Sequence, residues 1–375
     1  MTTIDSHRSL FLFNSIKAYD LFKNKPGVEC WSSTRKIWGL SGSLIDRSGV
    51  VTTPFKTETL EWMKIPKADN NFSMTLEDCC FEHAREIIDL AVNNKKEIAL
   101  MYSGGIDSTC ALVSLLQVSR PAEKELITVL LNKDSILENP VFYKNFLLGK
   151  IKCKDSNTWE NYVNDKFILV TGEGGDQLFS NGFTRTTDMI FTTLGWDTMR
   201  SSPNPDLMIK IFKMVSDDYH SAKTGWERVV EPLIKTAVVP IDTIGQALWY
   251  FHFTCKWQNV YLRIFNNLID TSLISNDYVK NNFKMFYQTD EIQKWILKNN
   301  EDAVCVSRFV DIKRPLKEII FNYDKNETFL EHKTKIPSLG KLCRIRPSIG
   351  FITNNWQFLD NLNVDDYYNT NNNFI

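Results

Sequence analysis

The sequence predicts an α/β protein in which a parallel β-sheet carries helices on both faces. Three apolar runs, EIALMY, ELITVLL and KFILVTG, alternate with segments of helical pattern. Strands that are buried on both faces have such continuous apolar runs, and ligands of parallel sheets bind at the carboxyl ends of the strands. Two of the three runs end in Gly-rich turns. We therefore expect a ligand site at these two turns.

The helix before the first strand is predicted from the segment TLEDCCFEHAREIIDLAVNN. Thr75 is a favourable N-cap residue, Asp78 follows three positions later, and apolar residues then recur at helical spacing. The pattern ends at Asn93 and Asn94. A helix with these bounds leads directly into EIALMY.

Three regions are predicted along the chain. Residues 1–75 form a reduced N-terminal module, in which β-like pieces such as KIWGLSGSLI and SGVVTTPF are separated by Gly, Ser and Pro. Residues 76–345 form the main domain, which is mostly helical from about Thr184 onward and has Trp249, Phe253 and Trp257 as one core face. Residues 346–375 form an Asn-rich C-terminal tail, whose end we expect to be frayed.

The composition excludes several classes of protein. Among 375 residues, 44 Lys and Arg balance 45 Asp and Glu, so no overall charge attracts nucleic acid or an anionic membrane. The eight cysteines include no C-x-x-C pair of the kind that binds zinc or exchanges disulfides. No run approaches the roughly 18–20 apolar residues that a membrane helix requires. We expect a soluble, cytoplasmic protein.

The first Gly-rich turn lies in ALMYSGGIDSTCALVSLL, where a strand ends and a helix begins. Backbone N–H groups at such a turn and at a helix N-terminus bind phosphate. A P-loop is excluded, because no lysine follows Gly104 and Gly105. The hydroxyl groups of Ser103 and Ser108 suit a phosphate, and the carboxylate of Asp107 suits Mg²⁺.

The second Gly-rich turn lies in TGEGGDQLFSNGF, at the end of the run KFILV. Asp176, at the end of another parallel strand, is expected to meet Asp107 across one cleft and to share a magnesium ion with it. Glu173 comes three residues earlier and is expected to point at a substrate rather than at the metal.

Both turns resemble motifs of one enzyme family. Ser103–Ser108 resembles the S-G-G-x-D-S pyrophosphatase loop of enzymes that split ATP between the α and β phosphates. Thr171–Phe183 resembles the S-G-E-G-x-D-E-L-F-G-G-Y segment of the asparagine synthetase family and of its β-lactam-forming relatives. The resemblance covers roughly residues 95–345. It implies an adenine nucleotide α-hydrolase-like fold and an ATP-dependent amide-forming ligase, which adenylates a carboxylate, releases pyrophosphate and transfers the acyl group to nitrogen.

The resemblance also implies the role of each residue. The pyrophosphate is held by Ser103, Gly104, Gly105 and Ser108, with Gly172 and Gly174 at the second turn, and Mg²⁺ is held by Asp107 and Asp176. Glu173 orients or deprotonates the incoming nitrogen; asparagine synthetases have glutamate here and the β-lactam-forming enzymes have tyrosine. The segment EHKTKIPSLGK is similar to the family's R-x-K-x-x-F segment. Lys335 then stabilises the developing charge, and Lys333 replaces the arginine.

The sequence departs from the family on the acceptor side. No glutaminase domain is recognisable, so the nitrogen is expected to come from free ammonia, from a separate glutaminase or from an amine on the substrate. The family's P-F-L-D segment has only a loose counterpart in MFYQTDEI. The carboxylate acceptor is therefore expected to be a small molecule of unassigned identity.

Two other functions remain open. One is a nucleic-acid-modifying enzyme of the same superfamily, because Lys and Arg between Arg308 and Arg346 would follow a phosphate backbone. The lack of a cysteine pair and of a separate basic domain argues against it. The other is a non-catalytic nucleotide-binding relative. Damage to the acidic residues would mark such a protein, and Asp107, Glu173 and Asp176 are all present.

Overall fold

The computed structural model describes residues 8–38, 43–179, 190, 192–216, 218–305, 309–333 and 350–375. Its strands are β1 Leu10–Phe13, β2 Glu97–Met101, β3 Ile127–Leu131, β4 Lys152–Asp155, β5 Phe167–Thr171, β6 Phe283–Met285, β7 Phe351–Thr353 and β8 Phe358–Leu359.

The α-helices follow one another through the described residues. They are α1 Ser15–Phe22, α2 Val28–Thr34, α3 Leu76–Asn93, α4 Ile106–Val118, α5 Pro121–Lys124, α6 Lys133–Glu138, α7 Pro140–Phe142, α8 Gly175–Phe179, α9 Pro205–Lys213, α10 Tyr219–Gly225, α11 Glu231–Lys235, α12 Ile244–Cys255, α13 Trp257–Leu262, α14 Asn276–Asn282, α15 Asp290–Val304, α16 Arg314–Asp324, α17 Glu327–His332 and α18 Val364–Tyr367.

The main sheet has five parallel strands in the order β4-β3-β2-β5-β6 and is flanked by helices. The α/β class and the three predicted strands are confirmed. Met101, the last residue of β2, pairs with Leu130 on one side and with Thr171 on the other. Because β2 and β5 are neighbours, the two Gly-rich turns leave the sheet side by side.

The helix predicted before β2 begins where its cap indicates. The Thr75 hydroxyl accepts a hydrogen bond from the Asp78 amide at 3.1 Å, and the Asp78 carboxylate accepts one from the Thr75 amide at 3.3 Å. This reciprocal capping satisfies two backbone donors that the first turn leaves free. The helix α3 then runs to Asn93, as the sequence predicts.

The N-terminal region differs from the prediction, because its described β-like pieces form no strand apart from isolated bridges. Residues 35–38 form a 3₁₀ turn, and residues 43–55 are turns and irregular backbone. The Asp46 carboxylate accepts hydrogen bonds from the amides of Ser48, Val50 and Val51 at 2.8 Å each. A side chain that takes these donors gives the backbone an alternative to a strand ladder.

The C-terminal residues are packed, so the predicted frayed end is wrong. Strand β7 pairs with β1 and β8 in a small antiparallel sheet. Farther on, the Asn373 side chain accepts hydrogen bonds from the amide and the hydroxyl of Thr52 at 2.9 and 2.7 Å. Phe374 is buried. The asparagines satisfy backbone groups of the N-terminal region, which composition alone does not reveal.

Arg47 and Gln258 join the N-terminal region to the helical part. Buried Arg47 donates to the carbonyls of Met63 and Phe253, and Gln258 donates to the Phe11 carbonyl at 2.8 Å. The guanidinium of Arg47 also lies 4.1 Å from the ring centre of Phe253 and 4.4 Å from that of Trp257. Trp249, Phe253 and Trp257 are all buried, which confirms the predicted core face, and the buried guanidinium of Arg47 packs against two of the three rings. Within the described part of the chain, no helix combines the length and apolarity needed to cross a membrane.

Candidate active site

The first Gly-rich turn joins β2 to α4, and its shape depends on glycine. Gly104 has a φ of +77°, and a Cβ on it would lie 2.3 Å from the Ser135 carbonyl oxygen of α6. No L-residue fits both the conformation and the space. Gly105 is the N-cap of α4, and its lack of a side chain leaves the first helical amides open to a ligand.

Two serines close this turn. The Ser103 and Ser108 hydroxyl oxygens lie 2.9 Å apart; Ser108 Oγ accepts from the Ser103 amide and Ser103 Oγ accepts from the Gly105 amide, both at 3.1 Å. The structure therefore brings together the predicted loop residues as one hydrogen-bonded ring of amides and hydroxyls.

The second Gly-rich turn packs directly against the first. A Cβ on Gly172 would lie 2.6 Å from the Ser108 amide nitrogen, and one on Gly175 would lie 2.3 Å from Asp107 Oδ1. Gly174 has a φ of +96° and packs against Met285. Glycines at these positions let the two turns approach closely. The approach places Asp107 and Asp176 near each other, which is the arrangement that the sequence predicts.

The segment MFYQTDEI supports both turns from β6. The Tyr287 hydroxyl donates to the Asp107 backbone carbonyl at 2.9 Å, and the Tyr287 Cβ faces Gly174. Tyr287 is fully buried. This part of the chain, which matches the family's P-F-L-D segment only loosely, therefore fixes the backbone that carries Asp107.

Lys313 joins the two acidic residues. Its ammonium nitrogen lies 2.5 Å from Asp107 Oδ2 and 2.5 Å from Asp176 Oδ1. Lys313 has a φ of +59° and stands immediately before α16. This left-handed conformation is costly for a lysine, and such strain clusters at functional sites. The sequence analysis noted the Lys and Arg residues between Arg308 and Arg346 but did not single out Lys313; its position just before the Arg-Pro start of a helix was the available signal.

The charges of this cluster shift one another's pKa values. Burial raises the pKa of Asp107 to about 6; the Asp176 carboxylate adds to the rise and the Lys313 ammonium opposes it. Burial alone would lower the pKa of Lys313, but its two carboxylate partners raise it above the usual value for lysine. Lys313 therefore stays protonated at neutral pH.

The carboxylate oxygen atoms around Lys313 are of the type that binds magnesium. Asp107 Oδ1 is buried and has no hydrogen-bond partner, whereas the Asp176 side chain is more than half exposed. Carboxylate oxygens are the ligands that Mg²⁺ takes from proteins, together with substrate phosphates. No group of three or more His, Cys, Asp or Glu residues able to hold a metal occurs among the residues that the structure describes. Phosphate oxygens would have to complete the coordination.

Glu173 lies at the solvent side of the same cluster, paired with Arg263. Arg263 opens a 3₁₀ turn, Arg263–Asn267, that follows α13. Lys256, the C-cap residue of α12, interacts electrostatically with both Arg263 and Asp176. Burial lowers the pKa of Lys256 to about 8, with Arg263 adding to the shift and Asp176 opposing it. Neither Lys256 nor Arg263 was expected from the sequence.

Behind the first turn lies a second ion pair, formed by Glu138 and Lys333. Lys333 Nζ lies 2.5 Å from Glu138 Oε1, and both side chains are less than a tenth exposed. A Cβ on Gly104 would lie 2.9 Å from the Glu138 Cβ. Lys333, predicted to replace an arginine, is thus linked to the first Gly-rich turn through Glu138. The predicted Lys335 lies outside the described residues.

A cavity of about 980 Å³ opens beside the first turn, at the carboxyl ends of β3 and β4. It is lined by Leu131, Asn132 and Ile136 on one side and by Cys153 and Asp155 on the other. Helix α6 separates it from Gly104. The depression also has Lys133, Asp134 and Lys154 in its lining, and it lies at the strand ends where ligands of parallel sheets bind.

Comparison of the chain with protein-family models, with curated proteins and with solved structures found no match. The function must therefore be inferred from the geometry of the site.

Proposed function

We propose that the protein is an ATP-dependent carbon–nitrogen ligase that adenylates a carboxylate, releases pyrophosphate and transfers the acyl group to ammonia or an amine. The observation that carries the proposal is the position of the Lys313 ammonium, 2.5 Å from both Asp107 and Asp176. It joins acidic residues from two Gly-rich turns at neighbouring strand ends, which is where a departing pyrophosphate needs both a cation and a metal site.

The phosphate side of the reaction belongs to the first turn. Its amides and the hydroxyls of Ser103 and Ser108 supply donors without losing a proton. Asp107 and Asp176 would hold Mg²⁺, which when bound would neutralise charge on the triphosphate. Lys313 keeps its proton and stabilises the pyrophosphate as the acceptor carboxylate attacks the α-phosphate and the bond between the α and β phosphates breaks. The cavity beside α6 would take the adenosine.

The acceptor side belongs to the second turn. The amine nitrogen attacks the acyl carbon of the adenylate, AMP leaves with the bonding electron pair, and Glu173 accepts the proton that the nitrogen loses. Glu173 is in reach of solvent, with its side chain more than a third exposed. Lys335 is proposed to stabilise the tetrahedral oxyanion, by its resemblance to the family lysine.

These features favour an asparagine synthetase-like enzyme with an adenine nucleotide α-hydrolase-like fold. The nitrogen would come from free ammonia, from a substrate amine or from a separate glutaminase partner. A cytoplasmic location and a small-molecule acceptor belong to the same proposal.

The described cations of the basic region, within residues 309–333, offer little support for the nucleic-acid alternative. Arg314 pairs with Glu318 and Glu331, and Lys333 with Glu138. Lys317 donates to the Val310 carbonyl at 2.7 Å. Cations that are engaged within the fold are poorly placed to follow a phosphate backbone.

The test is pyrophosphate release from Mg²⁺-ATP with ammonium chloride, across a panel of amino acids and other carboxylates. We expect carboxylate-dependent pyrophosphate from the wild type, and a loss of at least about 100-fold in Asp107→Asn and Asp176→Asn. Asp366→Asn is the matched control, because Asp366 is a partly exposed acid that pairs with Arg8 of the N-terminal region. A wild type that binds ATP but forms no pyrophosphate with any carboxylate would contradict the proposal.

A further inference from the structure

A buried ion pair lies against the first Gly-rich turn. Glu138 is the last residue of α6, and Lys333 is the C-cap residue of α17. Lys333 Nζ lies 2.5 Å from Glu138 Oε1, and the two side chains are 8% and 3% exposed. Because burial costs both charges their hydration, a pair of this kind adds little net stability to a fold. Its place beside the turn points instead to a role in binding.

The Glu138 carboxylate stands next to the amides that are open to a phosphate. A Cβ built on Gly104 would lie 2.9 Å from the Glu138 Cβ, and one on Gly105 would lie 3.5 Å from Glu138 Oε1. Gly105 is the N-cap of α4, and the first amides of a helix are donors to anions. A carboxylate here repels the ligand that these amides attract, and the repulsion between buried charges is weakly screened by salt.

Lys333 cancels this charge at the oxygen atom that faces the turn. Glu138 Oε1 is both the atom nearest to a Cβ on Gly105 and the atom that contacts the Lys333 ammonium. The ammonium also lies 5.8 Å from the ring centre of Phe329, a buried residue one turn earlier on α17. A cation at this distance from a ring is attracted to it. The ring and the carboxylate together keep the positive charge beside the turn.

We propose that Lys333 is a positioning residue that sets the phosphate affinity of the first turn by neutralising Glu138. The inference rests on the function proposed above and deepens it, since Lys333 acts through Glu138 rather than through contact with the substrate. Without the lysine, the turn keeps its amides and hydroxyls but stands beside a carboxylate that repels the ligand. Without either charge, the turn has neutral surroundings again and binds phosphate as before.

The experiment measures the equilibrium binding of inorganic pyrophosphate by calorimetry with Mg²⁺ present, at about pH 8, which favours the ionised form of an unpaired carboxylate. Lys333→Met should bind pyrophosphate at least about tenfold more weakly than the wild type, because it leaves Glu138 without its cation. Glu138→Gln should bind at least as tightly as the wild type. The double variant, Glu138→Gln with Lys333→Met, should return to within about threefold of the wild type.

Lys152→Met is the control for the removal of a paired lysine. Lys152 Nζ lies 2.8 Å from Glu97 Oε2, and these two residues begin β4 and β2, at the strand ends opposite to the turns. Its pyrophosphate affinity should match that of the wild type. Circular dichroism checks that each variant is folded. If Lys333→Met does not fold, the double variant still tests the proposal, because it binds like the wild type only if Lys333 acts through Glu138.

Two patterns would overturn the proposal. If both single variants lose affinity, the pair only braces the turn. If the double variant keeps the loss of Lys333→Met, the lysine contacts the phosphate itself.

Failure of the proposed function gives different results. A wild type that binds no pyrophosphate would remove the phosphate site and this inference together. The expected affinities without pyrophosphate release from ATP would retain the role of Lys333 and reject the ligase.

Discussion

Gly172 lies so close to Ser108 that a Cβ on Gly172 would stand 2.6 Å from the Ser108 amide nitrogen. This contact brings the turn after β5 against the first residues of α4, so the two acidic turns have a fixed spacing. Since Gly172 has no positive φ, the space alone requires glycine here.

Gly172→Ala should therefore push the two turns apart. We expect pyrophosphate formation to fall by at least about 100-fold, with a loss of stability of about 1–3 kcal/mol from overpacking. Gly149→Ala is the control for pyrophosphate formation alone, because a Cβ on Gly149 has nothing within 4 Å, whereas its φ of +71° makes alanine costly for stability there. Activity that survives in Gly172→Ala would show that the close approach is unnecessary.

Lys313 should contribute to turnover in addition to folding, because it also pairs the buried carboxylate of Asp107. In Lys313→Met the pyrophosphate loses its ammonium partner, so we expect kcat to fall about 100- to 1000-fold. Lys313→Arg should not restore it, because a guanidinium is too large for a site with oxygen atoms at 2.5 Å on both sides. Lys223→Met, which removes an exposed lysine paired with Glu227, serves as the control in steady-state pyrophosphate assays. Unchanged kcat in Lys313→Met would exclude this role.

The requirement for Mg²⁺ should depend on Asp107 and Asp176. Chelation should stop pyrophosphate formation, and added Mg²⁺ should restore it. Residual activity of Asp176→Asn should need at least about tenfold more Mg²⁺ for half its maximal rate, because one carboxylate ligand is lost. A titration of Mg²⁺ at saturating ATP measures this. The same half-maximal concentration in wild type and Asp176→Asn would remove Asp176 from the metal site.

Arg47 should matter for stability without affecting chemistry. It is buried, donates to two carbonyls and to Gln293, and lies over the Phe253 and Trp257 rings. Arg47→Ala leaves buried acceptors without donors, so we expect a loss of about 2–4 kcal/mol in the free energy of unfolding. Urea unfolding measures the loss.

The matched variant for Arg47 is Arg8→Ala, in which an exposed ion pair should contribute less than about 1 kcal/mol. Equal losses in the two variants would mean that the buried contacts of Arg47 add nothing. The specific activity of the folded Arg47→Ala protein should match that of the wild type, since the described contacts of Arg47 do not include Asp107, Asp176 or Lys313.

Local patterns in the sequence predict the sheet and one half of the site. Continuous apolar runs mark β2, β3 and β5, the cap at Thr75 marks α3, and the rule for strand ends brings the two turns together. Each of these signals lies within a few residues of the feature it predicts.

The other half of the site comes from distant segments. Lys313 is 206 positions from Asp107, Arg263 is 90 from Glu173 and Lys333 is 195 from Glu138. No periodicity marks these residues, because the packing of α16 against α4, of α17 against α16 and of α13 against β1 determines where their side chains lie. The sequence predicted β-like pieces in the N-terminal region, where the backbone is irregular. The difference also comes from tertiary contacts, because the Asp46 side chain accepts the hydrogen bonds of backbone amides that a strand would have paired with a neighbouring strand.

Acid should weaken the fold through Glu123, which joins two arginines. Hydrogen bonds from Arg85 and then from Arg120 lower the pKa of Glu123, and its side chain is only 6% exposed. Because the folded-state pKa lies below the unfolded value of about 4.3, the stabilising contribution is present above that pH and is lost as the pH falls further. Glu123→Gln should therefore have a lower urea midpoint than the wild type at pH 7, and the difference should shrink below about pH 4. Because other carboxylates titrate in both proteins, the difference between the two midpoints is the quantity to follow; if it stays constant from pH 7 to pH 3, the carboxylate of Glu123 does not stabilise the fold.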